Sequence, residues 1–168
     1  MNKQIEIAFL SFLCLAAGCS TLPAPEIGEK ATPVITQSFA SRKISPGETW
    51  KIYLKAASPD GEMKRIYAEI NQPGMNPYPI SIIRIKKENQ KELSGYIILP
   101  TANAESPMDG VNLTLTVHVQ DRSGNFSQPV VFPLLLNSRS TQEGPPQGVF
   151  KEEALGVVVV TLDNGKAS

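Results

Sequence analysis

From about residue 34 to residue 137 the chain alternates apolar and polar positions with a period of two. The cleanest run is Asn112 to Gln120. Leu113, Leu115, Val117 and Val119 share one parity there, and Thr114, Thr116, His118 and Gln120 share the other. Such alternation sends one set to a core and the other to solvent, which marks a half-buried antiparallel strand. Thr49 to Ala56 repeats the pattern with Trp50, Ile52, Leu54 and Ala56 inward and Lys51, Tyr53 and Lys55 outward. Arg65 to Asn71 does so with Ile66, Ala68 and Ile70 inward, and Leu93 to Leu99 keeps the same period. In Phe126 to Leu136 the inward set is Val130, Phe132, Leu134 and Leu136. Pro129 and Pro133 hold the other parity, so one side of that strand lacks a ladder partner locally. Tyr78 to Lys86 changes parity between Ile82 and Ile83, which predicts a bulge or a strand covered on both faces. Val34 to Ala40 completes the set.

Turn-forming clusters separate these runs: Ser45-Pro46-Gly47, Ser58-Pro59-Asp60-Gly61, Gln72-Pro73-Gly74, Pro107-Met108-Asp109-Gly110 and Asp121-Arg122-Ser123-Gly124-Asn125. No stretch sustains a helical period. About seven short strands with regular turns outline an all-β, antiparallel Ig-like sandwich, here without the Cys-Trp-Cys signature. The segment Val117-His118-Val119-Gln120-Asp121-Arg122-Ser123-Gly124-Asn125-Phe126-Ser127 resembles the closing hairpin of bacterial Ig-like and fibronectin-III-like repeats. Ser45-Pro46-Gly47-Glu48-Thr49-Trp50 is similar to the start of their second strand. In that hairpin Asp121 caps the turn, Gly124 takes positive φ and Asn125 tolerates the left-handed region. The likeness supports the fold and implies no reaction.

Past Asn137 the chain turns polar, then carries Val149-Phe150, Glu152-Glu153 and the run Leu155-Gly156-Val157-Val158-Val159-Val160-Thr161-Leu162. Consecutive valines favour a strand, and left exposed they would invite aggregation. An extra C-terminal strand is therefore expected, docked on the sandwich or on another protein.

The opposite end carries targeting information. Ile7 to Ala17 is almost wholly apolar. It falls short of the about 20 residues of a transmembrane helix and matches the apolar region of a signal peptide. Leu15-Ala16-Ala17-Gly18-Cys19-Ser20 resembles the lipobox of bacterial lipoproteins, with Ala16 where the consensus prefers Leu. The resemblance implies cleavage before Cys19 and acylation of its thiol. By the sorting rule of that family an Asp at the position of Ser20 would retain the protein in the inner membrane, so the resemblance favours the outer membrane. The organisation expected is a signal peptide over 1–18, a lipid-anchored Pro-rich linker over 19–33, the sandwich over 34–137 and a C-terminal extension over 138–168.

Charge and chemistry narrow the function. Lys+Arg 16 against Asp+Glu 16 leaves no basic stripe to neutralise phosphates, which argues against nucleic acid. The two cysteines are Cys14, in the leader, and Cys19, so the sandwich holds neither a disulfide nor a free thiol. His118, the only histidine, has outward parity beside Tyr67 of a neighbouring strand, and zinc would need several such ligands. With no nucleophile elbow and no phosphate-binding glycine loop, neither catalytic residues nor a cofactor are expected. Asp60 and Glu62 would meet Asp121 and Asn125 at one pole, oxygen donors of the kind calcium takes, though tight turns ask for the same residues. Tyr53 and Tyr96 would lie side by side on one outer face, as a glycan platform or as a cross-strand pair that stabilises the sheet. The expectation is a non-enzymatic, membrane-anchored envelope module for protein interaction or a structural role. A glycan- or ligand-binding module at the cell surface is the alternative.

Overall fold

A computed structural model describes residues 32–102 and 108–162. The leader, Cys19 and most of the linker lie outside the described residues. Nine strands form: β1 (Val34–Ala40), β2 (Lys43–Ile44), β3 (Thr49–Ala57), β4 (Met63–Asn71), β5 (Ser81–Arg84), β6 (Glu92–Pro100), β7 (Asn112–Asp121), β8 (Val130–Leu136) and β9 (Ala154–Val157). They make two sheets, a four-stranded one ordered β1-β3-β6-β9 and a five-stranded one ordered β2-β8-β7-β4-β5. The two sheets make a sandwich-like fold, all-β as the alternation predicts. A single 3-10 turn, Lys87–Asn89, is the only helical element among the described residues.

The alternating apolar sets face each other between the sheets. Trp50, Ile52 and Leu54 of β3 and Ile97 and Leu99 of β6 meet Ile66 of β4, Leu115, Val117 and Val119 of β7 and Leu136 of β8 without solvent exposure. Aligned sandwich packing places about 10 Å between such sheets, a gap that side chains of this size fill.

Two parallel pairings make the sheets mixed rather than antiparallel throughout. β2 runs parallel to β8 and β9 parallel to β6. The first arises because the opening strand changes sheets at Ser41-Arg42. Trp50 Nε1 donates to the Ser41 carbonyl at 2.8 Å and the buried Ser41 hydroxyl donates to the Lys43 carbonyl at 2.7 Å, which pins the kink. The two-residue β2 has no sequence signal of its own. Pro133, the one proline of β8, fits this arrangement. Leu135 N donates to Arg42 O and Leu136 N donates to Val111 O on the β7 side. Pro133 shares the parity of Leu135, so its missing N–H falls level with the chain just before β2 begins and interrupts no ladder.

The second parallel pair follows from the C-terminal extension, which belongs to the sandwich. After β8 the chain crosses the outer face of the four-stranded sheet as a strap and enters β9 beside β6. Such a crossover is what a parallel neighbour requires. The valine run straddles the end of β9. Val158 N donates to Ile98 O, Val158 and Leu162 enter the core, and Val159 points to solvent. Two glycines make room. A Cβ at Gly95 would collide with the Glu153 carbonyl, and one at Gly156 would stand 2.5 Å from Ile83 Cγ2.

The parity change near Ile82 resolves without a bulge. Ser81, Ile83 and Ile85 are buried and Ile80, Ile82 and Arg84 are exposed. β5 is a plain edge strand, covered on its inner face alone.

Candidate functional site

The two outer sheet faces differ. On the four-stranded sheet Tyr53 and Tyr96 are register partners, as the alternation requires, with ring centroids 5.3 Å apart. They do not form a flat exposed patch. Phe150 of the strap lies 5.6 Å from Tyr53, Phe39 lies 6.4 Å away, and Tyr53 is only 4% exposed. The Tyr53 hydroxyl donates to Glu152 Oε1 at 2.9 Å, and Lys51 Nζ reaches Glu152 Oε2 at 3.4 Å from a position 4.4 Å above the Tyr96 ring. Burial and the bond to Glu152 hold the Tyr53 hydroxyl above its usual value. Burial works against the Lys51 charge, but Tyr53 and Glu152 outweigh it and raise the ammonium. Further along the strap, Gln142 Oε1 accepts from Lys51 N at 2.9 Å and its Nε2 donates to Thr49 O at 3.0 Å. One side-chain amide thus continues the ladder where β1 has left β3. Beside the strap an open trough of ≈ 510 Å³ is lined by Lys55, Glu92, Ser94, Phe150 and Lys151 among others. Among the described residues Ser58 Oγ and His118 Nδ1 are buried without a hydrogen-bond partner, and neither residue lines the trough.

At the pole of the 58–62 and 121–126 loops the expected neighbours meet, with Arg122 N donating to Glu62 O at 3.0 Å. The chemistry there is that of a turn. Asp121 Oδ1 accepts from Asn125 N at 2.8 Å and its Oδ2 from Asn125 Nδ2 at 2.9 Å. Burial would lift the Asp121 carboxyl, but the bonds from Asn125 and the Ser123 and Gly124 amides hold it below the usual range. Gly124 takes φ +92 while Asn125 keeps negative φ, so Asn125 serves as a donor and not as a left-handed residue. Ser127 closes the hairpin, its N donating to Val119 O at 2.8 Å and its Oγ accepting from Val119 N at 3.0 Å. Asp60 is exposed beyond this network. Among the described residues no three His, Cys, Asp or Glu side chains gather as metal ligands.

Among the described residues no strap crosses the outer face of the five-stranded sheet. Its central row runs Ile82, Tyr67, His118 across β5, β4 and β7. Phe126 stands its ring edge-on to Tyr67 at 5.2 Å and to His118 at 6.0 Å, and the Tyr67 hydroxyl donates to Gln120 Oε1 at 3.0 Å. Ile82 is 57% exposed, Phe126 46% and Val131 54%. His118 occupies the outward position beside Tyr67 that its parity gives, with Nδ1 shielded and without a hydrogen-bond partner.

Charges flank the row. On one side Arg65 and Arg84 are direct partners across β4 and β5. Like charges so placed repel and destabilise a sheet. On the other side stands Glu69, opposite Thr116. Among the described residues none of these three charges belongs to an ion pair. Sequence reasoning passed over Ile82, Phe126, Arg65 and Arg84. Ile80, Ile82 and Arg84 share the outward parity of β5, a signal that the parity change between Ile82 and Ile83 obscured in the sequence.

No model of a known protein family matches the chain, and no curated protein matches it.

Proposed function

We propose that the chain is a lipid-anchored lipoprotein of the cell envelope, with its Ig-like sandwich acting as a non-catalytic protein-interaction module. The observation that carries the interaction is an asymmetry of covering. Among the described residues, 138–153 roof one outer face and none roofs the other, which carries apolar side chains at its centre. Exposed apolar patches on a stable domain mark contact surfaces. The lipobox-like leader, cut before Cys19, supports the anchor, and Ser20 favours the outer membrane. On this proposal the lipid fixes where the module works and the bare face determines what it holds.

The test is a membrane extract in mild detergent, with the wild-type chain beside Cys19→Ala and beside the double variant Ile82→Asp, Val131→Asp. Wild type is expected to carry acyl mass on Cys19 and to migrate above the size of one chain in its micelle. Cys19→Ala should leave the membrane, and the double variant should remain there but migrate as a single chain. An unacylated wild type sinks the anchor. A wild type that migrates as the double variant does sinks the interaction module.

A further inference from the structure

We infer that the partner of the bare face is a second copy of this chain, packed face to face about a two-fold axis that crosses β4 at Tyr67 perpendicular to the strands. The inference rests on the proposal that this face is the interaction surface, and it names the occupant.

The charges of this face are self-complementary. Arg65, Tyr67 and Glu69 are alternate residues of β4 with the same outward parity. Arg65 and Glu69 each lie about 7 Å from Tyr67 along the strand, at about 3.4 Å per residue. A two-fold axis across the strands keeps strand order and inverts strand direction. It sets Tyr67 against its own mate, Arg65 of each copy against Glu69 of the other, and Ile82 against Ile82. A two-fold axis along the strands would instead set arginine against arginine. Aligned sheets cross at about 30°, which at 7 Å from the axis shifts partners sideways by only a few ångströms, within reach of Arg and Glu side chains.

The same register gives the Arg65–Arg84 pair a reason. Arg84 lies one strand over, about 4.8 Å, and can reach the carboxylate that Arg65 faces. Two guanidiniums then share the Glu69 of the opposite copy, and the repulsion between them within one copy is offset. The interface centre is Ile82, Tyr67, His118 and Phe126, aromatic and aliphatic, with charges at its rim, the usual anatomy of a protein contact. An isologous patch of this kind closes on itself as a dimer and leaves no open end.

The test uses the full chain in its membrane. Two differently tagged copies are co-expressed, each carrying the photocrosslinking residue benzoylphenylalanine in place of Ile82, in wild-type, Arg65→Glu, Glu69→Arg and Arg65→Glu/Glu69→Arg backgrounds. The expected result is a crosslink between the two tags that falls at least about tenfold in each single reversal and returns in the double. The two-fold doubles every contact, so one reversal turns two attractions into two repulsions. Cooperative thermal unfolding of each variant guards against loss of fold. A crosslink to a different protein alone overturns the self-pairing and leaves the interaction face standing. No crosslink to any protein overturns both. A crosslink between tags that ignores the reversals overturns the two-fold register.

Discussion

Tyr53 and Glu152 are joined by a 2.9 Å hydrogen bond across 99 residues of sequence, and that bond fastens the strap to the sheet it covers. It lies in a patch where Phe150 packs on the Tyr53 ring and Lys51 bridges Glu152 to Tyr96. Removing only the hydroxyl, as Tyr53→Phe does, keeps the ring contacts and loses the bond. The expected cost is about 1 kcal/mol, read as a lower urea midpoint with an unchanged slope.

The same patch makes stability fall at alkaline pH. The folded values of Tyr53 and Lys51 are both raised above their unfolded ones. A raised folded value means that the unfolded chain gives up its proton first. The contribution is thus whole below the unfolded value and is lost as pH rises through the folded one. Denaturation followed from about pH 8 to above the tyrosine value of about 10 should show a decline that Tyr53→Phe makes shallower. Equal declines in both proteins would place the alkaline sensitivity elsewhere.

Asp121 works in the opposite direction. Its folded value is depressed, so the stability it contributes is present above the unfolded carboxylate value and is lost as pH falls through the folded one. Asp121→Asn leaves the Asn125 amide facing another amide and removes the charge that draws the turn together. The expected loss at neutral pH is about 1.5–3 kcal/mol, the range for hydrogen bonds to a charged group. The variant's stability should also fall less steeply in acid than wild type's, and parallel acid limbs would count against this role.

The parts of this architecture that were legible in the sequence are those with a local periodic cause. Leu113 to Val119 and Trp50 to Leu54 declare their inward faces by alternation alone, and Gly124 declares its turn. What was not legible depends on contacts distant in sequence. Lys43–Ile44 is too short to carry a period and exists as β2 because Trp50 holds the Ser41 kink. Tyr53 has the parity of a solvent-facing residue and is buried because Phe150, far along the chain, lies on it. The pairing of Arg65 with Arg84 depends on the register of β5 against β4, which the isoleucine-rich stretch around Ile82 left ambiguous.

Gly95 tests the docking of β9. It pairs with Leu54 in register, and a side chain there would meet the Glu153 backbone carbonyl, which cannot move away by changing rotamer. Tyr96 N donates to that same carbonyl at 2.9 Å, so displacing it breaks a ladder bond as well. Gly95→Ala should destabilise by about 1–3 kcal/mol, the usual range for overpacking. Amide exchange should locate the effect, with protection lost first at Tyr96 and Val158 and last along β7.

The extension should prove indispensable to the fold. A chain ending at Asn137 would keep every strand that alternation predicts over residues 34–137, and by sequence it resembles a complete sandwich. It would nevertheless uncover Ile83 and Ile85, which β9 and the residues after it help to shield, and remove Val158 and Leu162 from the core. Each buried aliphatic side chain of this size contributes about 1.5–3 kcal/mol. It would also bare Tyr53 and the β3 backbone that Gln142 satisfies at Thr49 and Lys51. Domains of this length are stable by about 5–15 kcal/mol in all, so these losses together consume most or all of the margin. The truncated chain is expected to unfold non-cooperatively or to aggregate along the freed edge of β6. A chain ending after Leu162 should unfold in one cooperative step. If the shorter chain instead melts cooperatively within a few degrees of the longer one, the strap is an ornament on the sandwich and not part of its core.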